Sequence, residues 1–144
     1  VIHESPLPKG KGFAPLQWQI LEKKKIIVFS MININNKIDS GPIVMTSKLK
    51  LSGLELYDEI RFLQAKKTFE MIEKFLKNYP KIKIIKQIGK STYYKKRNPK
   101  DSQLNVNKSI LSQFNILRIA NNNEWPAFFY YKNKKYIIKI FKDA

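Results

Sequence analysis

At 144 residues, with 43% apolar and 12% aromatic content, the chain is sized for one globular domain, or a little more, around a real core. Cysteine is absent, which excludes disulfides and thiolate chemistry and makes a reducing, cytoplasmic setting the expectation. Lysine and arginine number 28 against 11 acidic residues, and the net charge of +17 fits a polyanionic partner. Those charges are scattered rather than clustered, so nucleic acid stays open as a partner without being favoured. No stretch approaches the roughly 20 apolar residues of a membrane span, and no membrane partner is expected.

In chain order, VIHESPLPKGKGFAP reads as a strand end running into a Pro/Gly loop. PLQWQILE (15–22) reads as a short helix opened by Pro15, whose missing N–H costs nothing in a first turn. IIVFSMINI (26–34) and PIVMTSKLKL (42–51) have strand composition, separated by the turn-forming NNKIDSG. The spacing of Leu56, Ile60, Leu63, Phe69, Ile72 and Leu76 predicts a helix over 54–78 with those residues on its buried face. Ser52 and Glu55 stand in capping-box relation ahead of it, and Asn78 and Pro80 mark its exit. KIKII (81–85) predicts another short strand, and 87–103 an ordered connector. Residues 107–121 predict a helix with Ile110, Phe114 and Leu117 on one face. In WPAFFYYKNKKYIIKIF two aromatic or β-branched runs flank KNKK, which predicts a β-hairpin.

Candidate chemistry is sparse. One histidine and no cysteine leave only carboxylates to complete a metal site, so none is expected. Neither a nucleophile elbow nor a phosphate-binding glycine loop is present, GKG at 10–12 being too short. What remains is His3 and, further on, Asp39. An imidazole, with its ordinary pKa of about 6.5, exchanges protons near neutrality, and a neighbouring carboxylate fixes its tautomer and stabilises the imidazolium. The same two residues also read as a histidine packed at a strand end and an aspartate closing a turn.

The motifs around those residues carry a resemblance. His3, Ser5, Leu7, Pro8, Lys11, Gly12 and Pro15 match, in order, the signature of the formyltransferase family that uses 10-formyltetrahydrofolate. Asp39, Ser40, Gly41 and Ile43 match its second signature, and the resemblance covers most of the chain. It implies an α/β fold: the C-terminal half of a Rossmann-like catalytic domain over 1–86, with its N-terminal half absent, then a connector, helix and β-hairpin over 87–144.

The resemblance further implies acyl transfer. An amine attacks the formyl carbon to give a tetrahedral oxyanion. His3 hydrogen-bonds that oxyanion or moves the amine's proton, and Asp39 orients His3. Ser5, Pro8, Lys11, Gly12 and Gly41 are expected to shape the loops. Two departures stand out. Lys11 occupies a position where the family often has Arg, and Val1 the position where many members carry a catalytic Asn. The short tail resembles that of sugar N-formyltransferases, which implies a nucleotide-linked amino sugar as acceptor and a homodimer formed through the terminal hairpin. Tyr93, Tyr94 and Arg97 are candidate acceptor-binding residues, able to stack on a base and hold a diphosphate. Methionyl-tRNA formylation, and a non-catalytic binding or dimerisation remnant, are the alternatives.

Overall fold

The structure is a computed structural model that describes residues 1–143. The β-branched and aromatic run Ile26–Ile32 forms β3, which pairs antiparallel with β4 (Ile43–Lys50) from Ile26 opposite Lys50 to Ile32 opposite Ile43. β1 (Ile2–His3) adds antiparallel to the other edge of β3 and sets His3 opposite Ser30. The strand period of two sends Ile27, Phe29 and Met31 into the core. There they meet Leu49 and Leu51, together with Leu16 and Ile20 of α1 (Pro15–Leu21) and Ile60 and Met71 of α2 (Tyr57–Asn78).

α2 ends at Asn78, as its exit signals predict, but its start and its buried face differ from the sequence reading. Ser52 and Glu55 close a separate turn: the Ser52 and Gly53 amides donate to the Glu55 carboxylate, and the Leu54 amide donates to Ser52 Oγ. The helix itself starts one turn later, where Glu59 accepts from the Leu56 amide at 2.7 Å. Ile60 and Met71 are buried, with Leu63 and Phe75 packed beside them, whereas Phe62, Phe69 and Leu76 line the solvent face. The helix carries two apolar stripes, and the sheet takes the one through Ile60 and Met71.

Two further expectations fail. KIKII forms no strand; only Ile85 bridges, exchanging two backbone hydrogen bonds with Ile43. The helix expected over 107–121 shrinks to a 3₁₀ turn (Leu111–Gln113) and α3 (Phe114–Arg118), with Ile110 exposed. The cause is Gln113. Its side-chain amide donates to the carbonyls of Asn105, Lys108 and Ser109 and accepts from the Asn105 amide, satisfying loop backbone that would otherwise need a helix. The connector contains β5 (Tyr93–Tyr94), which pairs parallel with β2 (Lys11–Gly12), and a 3₁₀ turn (Pro99–Ser102). The terminal hairpin is present as β6 (Ala127–Tyr131) and β7 (Lys134–Ile138). A second, smaller core of Leu104, Leu117, Ala120 and Ala127 underlies it.

α3 joins the two cores, since Ile119, just past its end, packs in the first while Leu117 and Ala120 pack in the second. Arg118 fastens it to the turn before α2, with Nε donating to the Glu55 carbonyl at 2.8 Å and Nη2 to Glu55 Oε2 at 2.6 Å. Burial alone would raise the Glu55 carboxyl, but hydrogen bonds from Ser52 and Gly53 outweigh it and hold the group at about 2, against an ordinary 4.5. A carboxyl depressed on folding contributes stability that is complete above its unfolded value and lost as pH falls through the folded one. Chemical denaturation between pH 5 and pH 2 is therefore expected to show a progressive loss of stability, and Glu55→Gln is expected to flatten that slope. Among the described residues, no helix is long and apolar enough to cross a membrane.

Candidate active site

Three short loops converge at the N-terminal end of the molecule. β1 delivers His3 into a buried position, and Ser5, fully buried behind it, accepts the Ser30 hydroxyl on its carbonyl at 2.7 Å. The chain then turns through Pro6–Gly10 and comes back, so that the Gly10 carbonyl lies 2.8 Å from His3 Nε2. A carbonyl only accepts, so Nε2 must be the protonated ring nitrogen of that pair. The other nitrogen, Nδ1, faces Asp39 Oδ1 at 3.6 Å, which is beyond hydrogen-bond length. The neutral ring thus presents an uncommitted lone pair beside a carboxylate. A proton arriving at Nδ1 would give an imidazolium with an acceptor on each side.

Asp39 comes from the loop between β3 and β4. Its backbone is in the left-handed region (φ 48°), which Asp tolerates better than most residues. Its Oδ2 accepts the Gly12 amide at 2.8 Å, so the carboxylate is tied to the first loop as well as facing His3. Gly12 has φ +94°, and a Cβ there would fall 2.5 Å from the Tyr94 carbonyl oxygen. Gly41 closes the Asp39 loop against Asn33, and a Cβ there would sit 1.6 Å from the Asn33 carbonyl oxygen. Gly41→Ala is accordingly expected to push the two loop stems apart. The expected cost is about 1–3 kcal/mol, as for other overpacked sites, seen as a lowered denaturation midpoint, together with loss of the hydrogen-bonded state of the Gly12 amide in hydrogen exchange.

Lys11, expected to shape the loop, is buried. Its ammonium donates to Ser40 Oγ at 2.7 Å and lies 5.9 Å from the centre of the Tyr93 ring. It therefore ties the first loop to Ser40, the residue after Asp39. Pro8 belongs to the turn that brings Gly10 back and accepts the Thr92 amide on its carbonyl at 3.4 Å.

The three candidate acceptor residues divide. Tyr94 is already engaged: its ring stacks on Trp18 with centroids 6.2 Å apart, and its hydroxyl donates to Glu22 at 2.9 Å. Tyr93 stays largely exposed over Lys11. Arg97 lines a cavity of about 290 Å³ with Phe13, Tyr57, Lys96 and Trp125. Its Nη2 reaches the Asp101 carbonyl and Ser102 Oγ only at 3.4 Å, and its buried Nε has no partner among the described residues. Burial lowers its pKa, with the charge of Asp101 working against that. Sequence reasoning missed two residues that bind the loops together, Gln87 and Thr92. Gln87 Nε2 donates to the carbonyls of Asp39 and Gly41, and Thr92 Oγ1 accepts the Gly10 amide, each at 2.8 Å. Both lie in a stretch whose local pattern is that of a connector.

No family model matches the chain. It is similar to curated proteins along nearly its whole length. It is 29% identical over 146 residues to a methionyl-tRNA formyltransferase of Thermodesulfovibrio yellowstonii, covering 98% of this chain and 46% of that protein. It is 32% identical over 143 residues to the methionyl-tRNA formyltransferase of Rickettsia prowazekii, covering 98% and 46%. To the bifunctional polymyxin resistance protein ArnA of Wigglesworthia glossinidia brevipalpis it is 34% identical over 146 residues, covering 95% and 21%. The chain thus spans less than half the length of these relatives. In fold it is similar to a methionyl-tRNA formyltransferase from Clostridium thermocellum (TM-score 0.82, 23% identity, 100% of this chain and 63% of that one). It is also similar to a 4-N formyltransferase from Francisella tularensis (TM-score 0.78, 18% identity, 99% and 62%). The fold is therefore that of part of a formyltransferase domain. Two of these three curated relatives and both fold neighbours are formyltransferases, and the chain matches a portion of each.

Proposed function

We propose that this chain carries the proton-handling part of a formyl-transfer site, acting with 10-formyltetrahydrofolate on the amine of a nucleotide-linked amino sugar. The observation that carries the reading is the His3 ring, fixed through Nε2 on the Gly10 carbonyl with its Nδ1 lone pair beside Asp39. That arrangement suits a group that accepts a proton from an attacking amine and holds it as an imidazolium next to a carboxylate. The donor would supply an activated formyl group, received beside Asp39. A hollow of about 340 Å³ between Val1 and the 33–41 loop opens beside Asp39, with Ile38 on its wall. His3 receives the amine's proton at Nδ1 as the amine bonds to the formyl carbon, Asp39 stabilises the resulting charge, and collapse of the tetrahedral intermediate breaks the bond to N10, so that tetrahydrofolate leaves with that proton.

On the acceptor side, the cavity bounded by Arg97, Lys96, Phe13 and Trp125 supports a nucleotide-linked substrate, having two cationic residues and aromatic walls. Arg97 retains the acceptor role, and Tyr93 a lesser one. Tyr94 serves to buttress Trp18. In this reading residues 1–86 hold the chemistry and 87–144 the acceptor side and hairpin. The hairpin exposes Tyr130, Tyr131, Tyr136 and Ile137, which suits self-association of two copies.

The test is an assay of the protein at the full length its gene encodes, with 10-formyltetrahydrofolate and nucleotide-linked 4-amino sugars. Formylated sugar in the mass spectrum is the expected product. A second reading, formylation of the methionine on initiator tRNA, is favoured by the methionyl-tRNA formyltransferases among the curated relatives. Formylation of charged tRNA with none of the sugar would establish it instead. Self-association with neither activity would leave a binding remnant.

A further inference from the structure

We infer that residues 85–94 form a strap that sets the His3–Asp39 separation, with Gln87 and Thr92 as positioning residues for the reaction proposed above. The strap starts at Ile85, pinned to the first residue of β4 by two backbone hydrogen bonds with Ile43, at 2.7 and 2.8 Å. Two residues on, Gln87 spends both protons of its side-chain amide on the carbonyls of Asp39 and Gly41. Only the NH2 end can serve two carbonyls, which fixes the orientation of the amide. Its Oε1 is left buried with no partner among the described residues. Burying an unpaired acceptor forfeits its hydrogen bonds to water and is destabilising. The fold tolerates that cost at the residue that holds the left-handed Asp39 backbone in place.

The other end of the strap grips the histidine loop. Thr92 Oγ1 accepts the Gly10 amide at 2.8 Å, and the Thr92 carbonyl accepts the Lys11 amide at 2.9 Å. Gly10 is the residue whose carbonyl holds His3 Nε2. One side of that peptide-flanked residue is therefore held by the strap and the other by the catalytic ring. β5 continues the grip, with the Phe13 amide donating to the Tyr94 carbonyl. A single segment thus touches the carriers of both catalytic side chains while contributing neither of them. Misplacing a reacting group by about 1 Å costs on the order of 10²-fold in rate, so control of this separation is control of turnover.

The experiment compares the parent chain with Gln87→Met, which keeps length but removes the donor, and with Thr92→Val and Thr92→Ser, which remove and retain the hydroxyl. Nuclear magnetic resonance reads two local signals: the Gly12 amide, bonded to Asp39 Oδ2, and the ring nitrogens of His3, the chain's one histidine. The expected result for Gln87→Met is a shifted, faster-exchanging Gly12 amide. For Thr92→Val it is a His3 ring that loses its preference for the Nε2–H tautomer, with Thr92→Ser restoring the parent spectrum. In the full-length protein kcat should fall about 10–100-fold for Gln87→Met with little change in acceptor KM. An unmoved Gly12 amide in folded Gln87→Met, or a His3 ring indifferent to Thr92→Val, overturns the strap. If the parent protein transfers no formyl group, the proposed reaction fails, and the two spectra still decide the strap on their own.

Discussion

In the Asp39→Asn variant, formyl transfer is expected to fall by about 10²–10⁴-fold, the usual contribution of a positioned acid–base group, while the fold is retained. Asn keeps a side-chain oxygen for the Gly12 amide, so the tie between the two loops survives. Two things change. The negative charge that stabilises a protonated His3 is gone. The side-chain NH2 of Asn also points a donor at His3 Nδ1, where the parent leaves a lone pair free. Were that 3.6 Å gap to close by about half an ångström, the resulting hydrogen bond would occupy the nitrogen that must receive the proton. The check is single-turnover kinetics beside a thermal melt. A variant that melts like the parent and turns over within a factor of ten of it would remove the His3–Asp39 pair from the mechanism. His3→Ala is the companion variant and is expected to be at least as damaging.

The largest expected effect on stability is at Arg118. The residue is only 3% exposed, and three nitrogens of its guanidinium are engaged, two by Glu55 and one by Asn115. Arg118→Met leaves the Glu55 carboxylate without its cation and the Glu55 carbonyl without its donor. Removing one partner of a buried pair typically costs about 3–5 kcal/mol, which is a large part of the 5–15 kcal/mol that holds an ordinary domain folded. Arg118→Lys is expected to recover only a fraction, because one ammonium cannot reproduce the fork that meets both a carbonyl and a carboxylate. Urea denaturation at neutral pH measures the loss. A double variant, Arg118→Met with Glu55→Gln, is expected to lose less than the sum of the two single variants if the pair acts as a unit.

Much of the frame is legible in the sequence, and the failures have identifiable causes. β3, β4, α1 and the β6–β7 hairpin follow from short-range signals: strand composition, Pro15 at a first helical turn, and turn chemistry at NNKIDSG and KNKK. His3 and Asp39 are legible because their flanking residues match two ordered motifs, and the structure sets the two side chains 3.6 Å apart. The buried face of α2 is not legible, since periodicity finds apolar stripes but cannot say which one a sheet will cover. The missing turns before α3 are also hidden, because Gln113 replaces helix hydrogen bonds with side-chain ones that no local pattern announces. Gln87 and Thr92 act only on backbone groups brought near by the fold.

The division of the apolar residues into two clusters has a consequence for the molecule's breathing motions. The cluster under the hairpin is built on only four buried residues, and its ties to the rest run through α3, Arg118 and the Lys142–Glu59 contact. Regions with few buried contacts open below the global unfolding free energy. The hairpin, which lies beyond the α3 anchor, is therefore expected to open at a lower cost than the larger core, and Trp125 on the wall of the Arg97 cavity just precedes it. His3, Asp39 and the strap lie on the other side of that boundary, anchored on the larger core. Hydrogen exchange is expected to be faster at the hairpin amides of β6 and β7 than at those of β3, placing the Trp125 wall of the cavity and the His3–Asp39 pair in units of different stability.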